Sequence, residues 1–444
     1  ARIVPWLASA VQSENGGARF RILLRTGVKF HDGHELTARD VRHTFERVLG
    51  CPDRRWLLAA VRGADAFVDG SAASVEGIRV ITDDELTIEL DRPLAILPAI
   101  LTHSALAIVP EGASRIEGTW QESCSGTGPF RVVRFQPGRR IDQEAHPEYW
   151  RAGLPRADRI VHQLGLSQGD ILDGYRSGRY SLAWHLAPAD VEALRQDPDF
   201  GAHLFECPKL ATYFIVMNAN RGALADESLR RRLIANVDIE KLVRTSYGAT
   251  AIPARSLIPP GLLGYEPAAR TAGRVGSGTA AAEETVIEAI TIPGTNEALL
   301  DELFSAFGRE GVRVTVSHAL GDEIETVCRA GKADMVISGW LGDYPDADAF
   351  AYPVLHSEAG FYGKFVGNAE LDALCEAGRA EPDADARHEI YRAIEQHVSS
   401  RALLMPFCHR QSYVFVQPEI DGVQLTLSPP FIAYETLGWK HTGA

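Results

Sequence analysis

The stretch "GKADMVISGWLGDYPDADAF", Gly331 to Phe350, sets a short apolar run between two clusters of turn-forming residues. Asp334 to Ser338 reads as a buried strand, too short for a helix and bounded by Gly and Asp. Upstream the pattern alternates. Val286 to Ile292 reads as a strand, and Asn296 to Arg309 as a helix with Leu299, Leu300, Leu303, Phe304 and Phe307 on one face. Val312 to Val316 is again strand-like and Asp322 to Ala330 helical. The βαβαβ order predicts a parallel sheet with right-handed crossovers. It therefore delivers Ser338 to Phe350 to the carboxyl edge of the sheet, where open α/β folds bind ligands.

Further out, helices are expected near Ala369–Arg379 and Ala386–Val398, followed by a strand in "SYVFVQ", Ser412 to Gln417. Before the βαβαβ run, "TAGRVGSGTAAAEE", Thr271 to Glu284, is small and polar enough for a flexible linker. Asp226 to Gly248 carries a helical pattern, and "ATYFIVMNAN", Ala211 to Asn220, is apolar enough for a buried strand. "GTGPF" at Gly126 opens a new unit, because Gly-Thr-Gly-Pro breaks the chain before Phe130.

The amino-terminal region holds the sharpest local signal, "GVKFHDGHELTARDV", Gly27 to Val41. A strand from Arg19 to Phe30 runs into an Asp32-Gly33 turn, and Thr37 with Asp40 forms a capping box for a helix whose apolar face is Val41, Phe45 and Val48. A hairpin follows, with Asp83-Asp84 as its turn. His31 and Asp32 imitate a catalytic pair, but turn and cap chemistry already accounts for both.

At 444 residues the chain exceeds the about 250 to 300 at which single cores stop growing, so two or three packed units are expected. A formal charge of -14 argues against nucleic-acid binding, which needs clustered Lys and Arg. The longest apolar run, Leu94 to Pro110, is broken by Pro98, His103 and Ser104 and is too short to span a bilayer. The opening "ARIVPWLASAV" lacks the basic and apolar regions of a signal peptide, so a leader is expected to have been removed or the chain cut from something longer. Six scattered cysteines, at 51, 124, 207, 328, 375 and 408, show no zinc spacing; they fit free thiols in a reducing compartment or disulfides in an exported protein. No HExxH, nucleophile elbow or phosphate loop occurs, and His356 and His409 have no ligand partners nearby in sequence, so neither enzyme, metal site nor cofactor is expected.

Several of these landmarks together resemble the family 5 extracellular solute-binding proteins, the peptide and nickel type that serve ABC importers. From Leu24 to Val41 the chain is similar to the family's N-terminal signature almost residue for residue. "GTGPF" at Gly126, "PEYWRAGLPRADRI" at Pro147, "LRRRLIANVD" at Leu229 and "GKADMVISGWLGDYPDADAF" at Gly331 follow in the family's order. Three departures stand out: the family's earlier strand and loop segment is missing before "ARIVPWLASAV", a Gly/Ala linker replaces a long helix, and His146 stands where Asn is usual before "PEYW".

The resemblance implies an α/β, two-lobed clamshell like the type II, cluster C periplasmic binding proteins, with an extra subdomain. Residues 1–125 would be the accessory subdomain of lobe I, 126–217 and 413–444 its core, and 218–412 lobe II. It implies a monomeric protein, periplasmic or extracellular and perhaps lipid-anchored, that closes on a short peptide or similar small solute and delivers it to an ABC permease. The alternative is a cytoplasmic ligand-sensing domain fused to a DNA-binding domain.

In peptide-binding relatives the Asp after "GW-G" pairs with the ligand's α-amino group, and that position is Asp343; the competing reading makes Asp343, Asp346 and Asp348 a solvated loop. Trp340 and Tyr344 are expected to cover the ligand body, and Ser338 and Gly339 to offer their backbone to a ligand that adds as a strand. Tyr213 and Asn218 are weaker candidates for an opposing wall. Arg230 is expected to be structural.

Overall fold

Alternating side chains build the first sheet. In a computed structural model, which describes residues 3–113, 125–267, 284–427 and 429–440, strands β1 (Ala8–Glu14), β2 (Arg19–Leu24), β3 (Ile78–Thr82) and β4 (Glu85–Glu89) form an antiparallel sheet in the order β1-β2-β4-β3. Phe20, Ile22 and Leu24 of β2 are buried while Arg19, Arg21 and Leu23 are partly exposed. The strand expected to reach Phe30 ends at Leu24, because the chain turns through Gly27 at φ +73°. Only an isolated bridge, Lys29 to Glu35, follows.

The helix Ala38–Leu49 starts as its sequence dictates: Asp40 Oδ2 accepts from the Thr37 N–H at 2.7 Å and lies 2.9 Å from the Thr37 hydroxyl. Asp40 is fully buried and its other oxygen accepts from the Glu111 N–H at 2.7 Å, so one carboxylate caps a helix and anchors a distant loop. Asp32 closes its turn by accepting from the His34 N–H. His31 reaches further. Its Nδ1 accepts from the Gly126 N–H at 3.3 Å and its Nε2 lies 3.0 Å from the Gly128 carbonyl, so the signature turn clasps the "GTGPF" segment. Beyond that clasp β5 (Phe130–Gln136), β6 (Arg140–Ala145) and β7 (Arg159–Gln163) form an antiparallel meander.

Residues 2–186, 202–205 and 414–444 make up this compact unit; residues 187–201 and 206–413 make up the other. The second unit is built on β9 (Leu204–Met217), β10 (Ala251–Pro253), β11 (Thr285–Thr291), β12 (Val312–His318), β13 (Met335–Leu341) and β14 (Leu404–Val416), in the order β10-β14-β9-β13-β11-β12. The βαβαβ run pairs in parallel, β11 with both β12 and β13. Apolar residues cover both faces of the sheet, as its near-continuous apolar strands require. Ile215, Met217, Met335, Ile337 and Phe407 pack with Leu233, Leu303 and Phe307 from one set of helices, while Phe214 meets Tyr362 on the other side.

Three expectations need correction. The lobe boundary read at 217 falls inside the second unit, because Ala211 to Met217 pair along the whole of β13 and belong to its sheet. The single helix read from Asp226 to Gly248 is two, Glu227–Ala235 and Ile239–Tyr247, since Asp238 turns to cap the second by accepting from the Lys241 N–H. The final strand starts at Leu404, eight positions ahead of the Ser412 read from sequence, where polar His409 and Arg410 obscure its pattern. Residues 268–283, with most of the Gly/Ala linker, lie outside the described residues. Arg230 is structural: buried, it donates to the carbonyls of Leu224, Arg401 and Ala402. Among the described residues, Cys51, Cys207, Cys328, Cys375 and Cys408 form no disulfide, and no helix is long and apolar enough to cross a membrane.

Candidate ligand-binding site

Strand β13 outruns its parallel neighbour. It pairs with β11 only at Met335, Val336 and Ile337, yet stays paired with β9 as far as Leu341. From Ser338 to Leu341 the edge that faces away from β9 is therefore matched by no strand among the described residues. Backbone N–H and C=O groups in such an edge can take an extended chain as an added strand. The position is the carboxyl edge of the parallel strands, as the sequence requires.

The side chains of this overhang point to alternate faces. The Ser338 hydroxyl bonds buried Tyr362. Trp340, half-buried, donates from Nε1 to the Ala349 carbonyl at 2.7 Å, and its ring centroid lies 6.0 Å from that of Phe361. Gly339 faces the other way, opposite Tyr213. A Cβ built on Gly339 would come within 2.8 Å of the Tyr213 ring. Tyr213 thus covers the backbone that a side chain at 339 would otherwise hide. Leu341 ends the strand with 46% of its surface exposed.

Asp343 follows, exposed, just past the strand end, where the Gly342 N–H donates to the Leu210 carbonyl at 2.8 Å. Its neighbours are fixed beneath it. Tyr344 is buried and donates to Asp348 Oδ2 at 2.6 Å. Asp346 holds Arg387 and accepts from the Asp348 N–H. Arg379 lies 3.7 Å from Asp348 and sits over the Tyr352 ring. Burial raises the Asp348 carboxyl to about 6, against the pull of Arg379. Tyr344 is consequently a core residue here, since its hydroxyl and ring are consumed inside the unit. Asp346 and Asp348 are not a solvated loop but a buried ionic brace that leaves Asp343 at the surface.

Asn218 is also structural. It is 1% exposed, its amide donates to the Gly331 and Ala333 carbonyls, and its oxygen accepts from the Asn220 N–H. The structure adds residues that sequence reasoning missed. Arg410 of β14 stacks over both Tyr213 and Tyr247, at 5.7 and 4.9 Å from the ring centroids. Burial together with the charge of Arg410 lowers the pKa of Lys209 on β9. His409 turns inward to bond Thr212 at 2.9 Å, and burial depresses its pKa to about 3.

The profile of bacterial extracellular solute-binding proteins, family 5 middle, matches residues 2–362. The chain belongs to that family. Among family relatives it is 27% identical over 452 residues to di/tripeptide-binding protein 4 of Pseudomonas aeruginosa (strain UCBPP-PA14), a match covering 95% of this chain and 84% of that protein. It is 25% identical over 461 residues to the peptide transport periplasmic protein SapA of Salmonella typhimurium (strain LT2), covering 96% and 82%. The solved structure of clavulanic acid biosynthesis oligopeptide binding protein 2 superposes with a TM-score of 0.85 at 19% identity, over 98% of this chain and 88% or less of the other, 86%. The fold is thus that of the two-lobed periplasmic binding proteins, and the family signature from Leu24 to Val41 falls in the part that holds the clasp rather than on β13.

Proposed function

We propose that this chain is a binding protein, not an enzyme, that captures a short peptide along the Ser338–Leu341 edge and delivers it to an ABC importer from the periplasmic or extracellular side. The observation that carries the reading is the overhang of β13 past Ile337. An extended main chain can pair there, and Asp343 stands just beyond the strand end, where a carboxylate would meet the peptide's α-ammonium group. The peptide-binding names of the relatives support the same substrate class. Trp340 and Leu341, partly exposed on the same edge, would contact the side chains.

Calorimetry with Ala-Ala-Ala and its N-acetyl form tests this on wild type and Asp343→Asn. The free peptide should bind wild type, and either acetylation or the substitution should weaken binding roughly ten- to a hundredfold, as loss of a hydrogen bond to a charged group of about 1.5 to 3 kcal/mol predicts. Acetylation should then matter little to the mutant. Equal binding of both peptides to wild type would remove Asp343 as the amine anchor.

A further inference from the structure

Arg410 is a half-buried guanidinium held by aromatic rings alone. Cation–π contacts with Tyr213 and Tyr247 fix its plane, and no ion pair or side-chain hydrogen bond engages it among the described residues. Lys209 is near enough for the two charges to be felt. Two cations side by side and partly withdrawn from water repel each other, and an anion between them relieves both the repulsion and the lost hydration. Arg410 also has a fixed address. It shares the Tyr213 ring with Gly339, so it sits on the sheet face next to the Ser338–Leu341 edge, at the one position of that edge with no side chain.

We propose that Arg410, backed by Lys209, forms a carboxylate subsite that selects ligands carrying a carboxylate toward the Tyr213 face. A planar fork held over two rings suits the two oxygens of a carboxylate better than a flexible ammonium does. The proposal rests on the peptide-binding reading for the source of that carboxylate, which is either the peptide's C-terminus or an acidic side chain, but the subsite itself can be tested without a peptide.

Arg410→Met keeps the aliphatic stem against Tyr213 and Tyr247 while removing the charge. In the first arm, the Arg410 Nε–H resonance, assigned by its loss in Arg410→Met, is followed during titration with sodium acetate against sodium chloride at equal ionic strength. A saturable shift with acetate only is expected; the same response to both salts overturns the subsite. The second arm compares Ala-Ala-Ala with its C-terminal amide, and Ala-Glu-Ala with Ala-Gln-Ala, by calorimetry. The carboxylate that occupies the subsite is the one whose neutralisation costs wild type about ten- to a hundredfold and Arg410→Met little. Arg410→Lys should restore only part of the difference. If Arg410→Met binds all four peptides as wild type does, the subsite is wrong; if acetate shifts Arg410 while no peptide binds wild type, the subsite stands and the peptide reading fails.

Discussion

Gly339 and Tyr213 share one volume: they face each other across β13 and β9, and the Tyr213 ring fills the place where a side chain at 339 would begin. Any Cβ there meets three ring atoms within 2.9 Å. Gly339→Ala is therefore expected to destabilise the protein by about 1 to 3 kcal/mol, the usual cost of overpacking. Combining it with Tyr213→Ala should cost less than the sum of the two single changes, because the clash is gone. Urea denaturation of the four proteins reads this, and strict additivity would show that the ring moves aside freely.

Asp346 and Arg387, each with only 12% of its side chain exposed, form the central tie of the brace under Asp343. Arg387 also donates to the Gly378 carbonyl and to Tyr391. Arg387→Met should cost about 3 to 5 kcal/mol, as leaving a buried charge alone does. Adding Asp346→Asn should recover part of that loss, measurable in the same denaturation series.

Glu395 is buried and accepts from the Leu257 and Ile258 N–H groups at 3.1 and 2.7 Å. Burial raises its carboxyl from 4.5 to about 7. The folded protein then holds a proton that the unfolded chain releases, so the stability linked to this group is fully present below about pH 4.5 and is lost as pH rises through about 7. Compared with wild type, Glu395→Gln should lose this slope between pH 5 and pH 7.5, a difference of about 3 kcal/mol at most. Parallel stability curves for the two proteins over that range would contradict it.

His31 behaves in the opposite sense. Burial lowers its pKa, and its Nδ1 acts as an acceptor for the Gly126 N–H. Protonation removes that acceptor, so the stability linked to His31 is present above about pH 6.5 and is lost as pH falls through the lowered value. His31→Phe should cost about 1 to 3 kcal/mol at pH 7.5 through the unpaired Gly126 and Gly128 groups, and should flatten this acid-side loss. Affinity for Ala-Ala-Ala should be unchanged, since the clasp and β13 lie in different units.

Periodicity made much of the fold readable. The βαβαβ run, the Asp83-Asp84 hairpin turn and the Thr37–Asp40 cap all appear where local pattern and capping chemistry put them. Asp343 could be read for the same reason, as it follows a strand whose end the pattern marks. Tyr344 could not be told from Trp340, because which of two aromatic neighbours turns inward depends on Asp348 and Arg379, and Arg379 comes from a helix further along the chain. Arg410 was invisible for a similar reason. Nothing local announces that β14 brings it over Tyr213, nearly two hundred positions earlier.

The His31 clasp has a consequence for the order of events in synthesis. It joins groups 95 and 97 positions apart, with no shorter-range substitute for the Gly126 and Gly128 partners. Closing so long a loop must await both ends and the entropy it costs. The signature turn can fold locally as soon as Thr37 and Asp40 leave the ribosome, yet it cannot lock until Gly128 has followed. A stalled chain ending before that point would carry the family's most recognisable motif in an unfastened state.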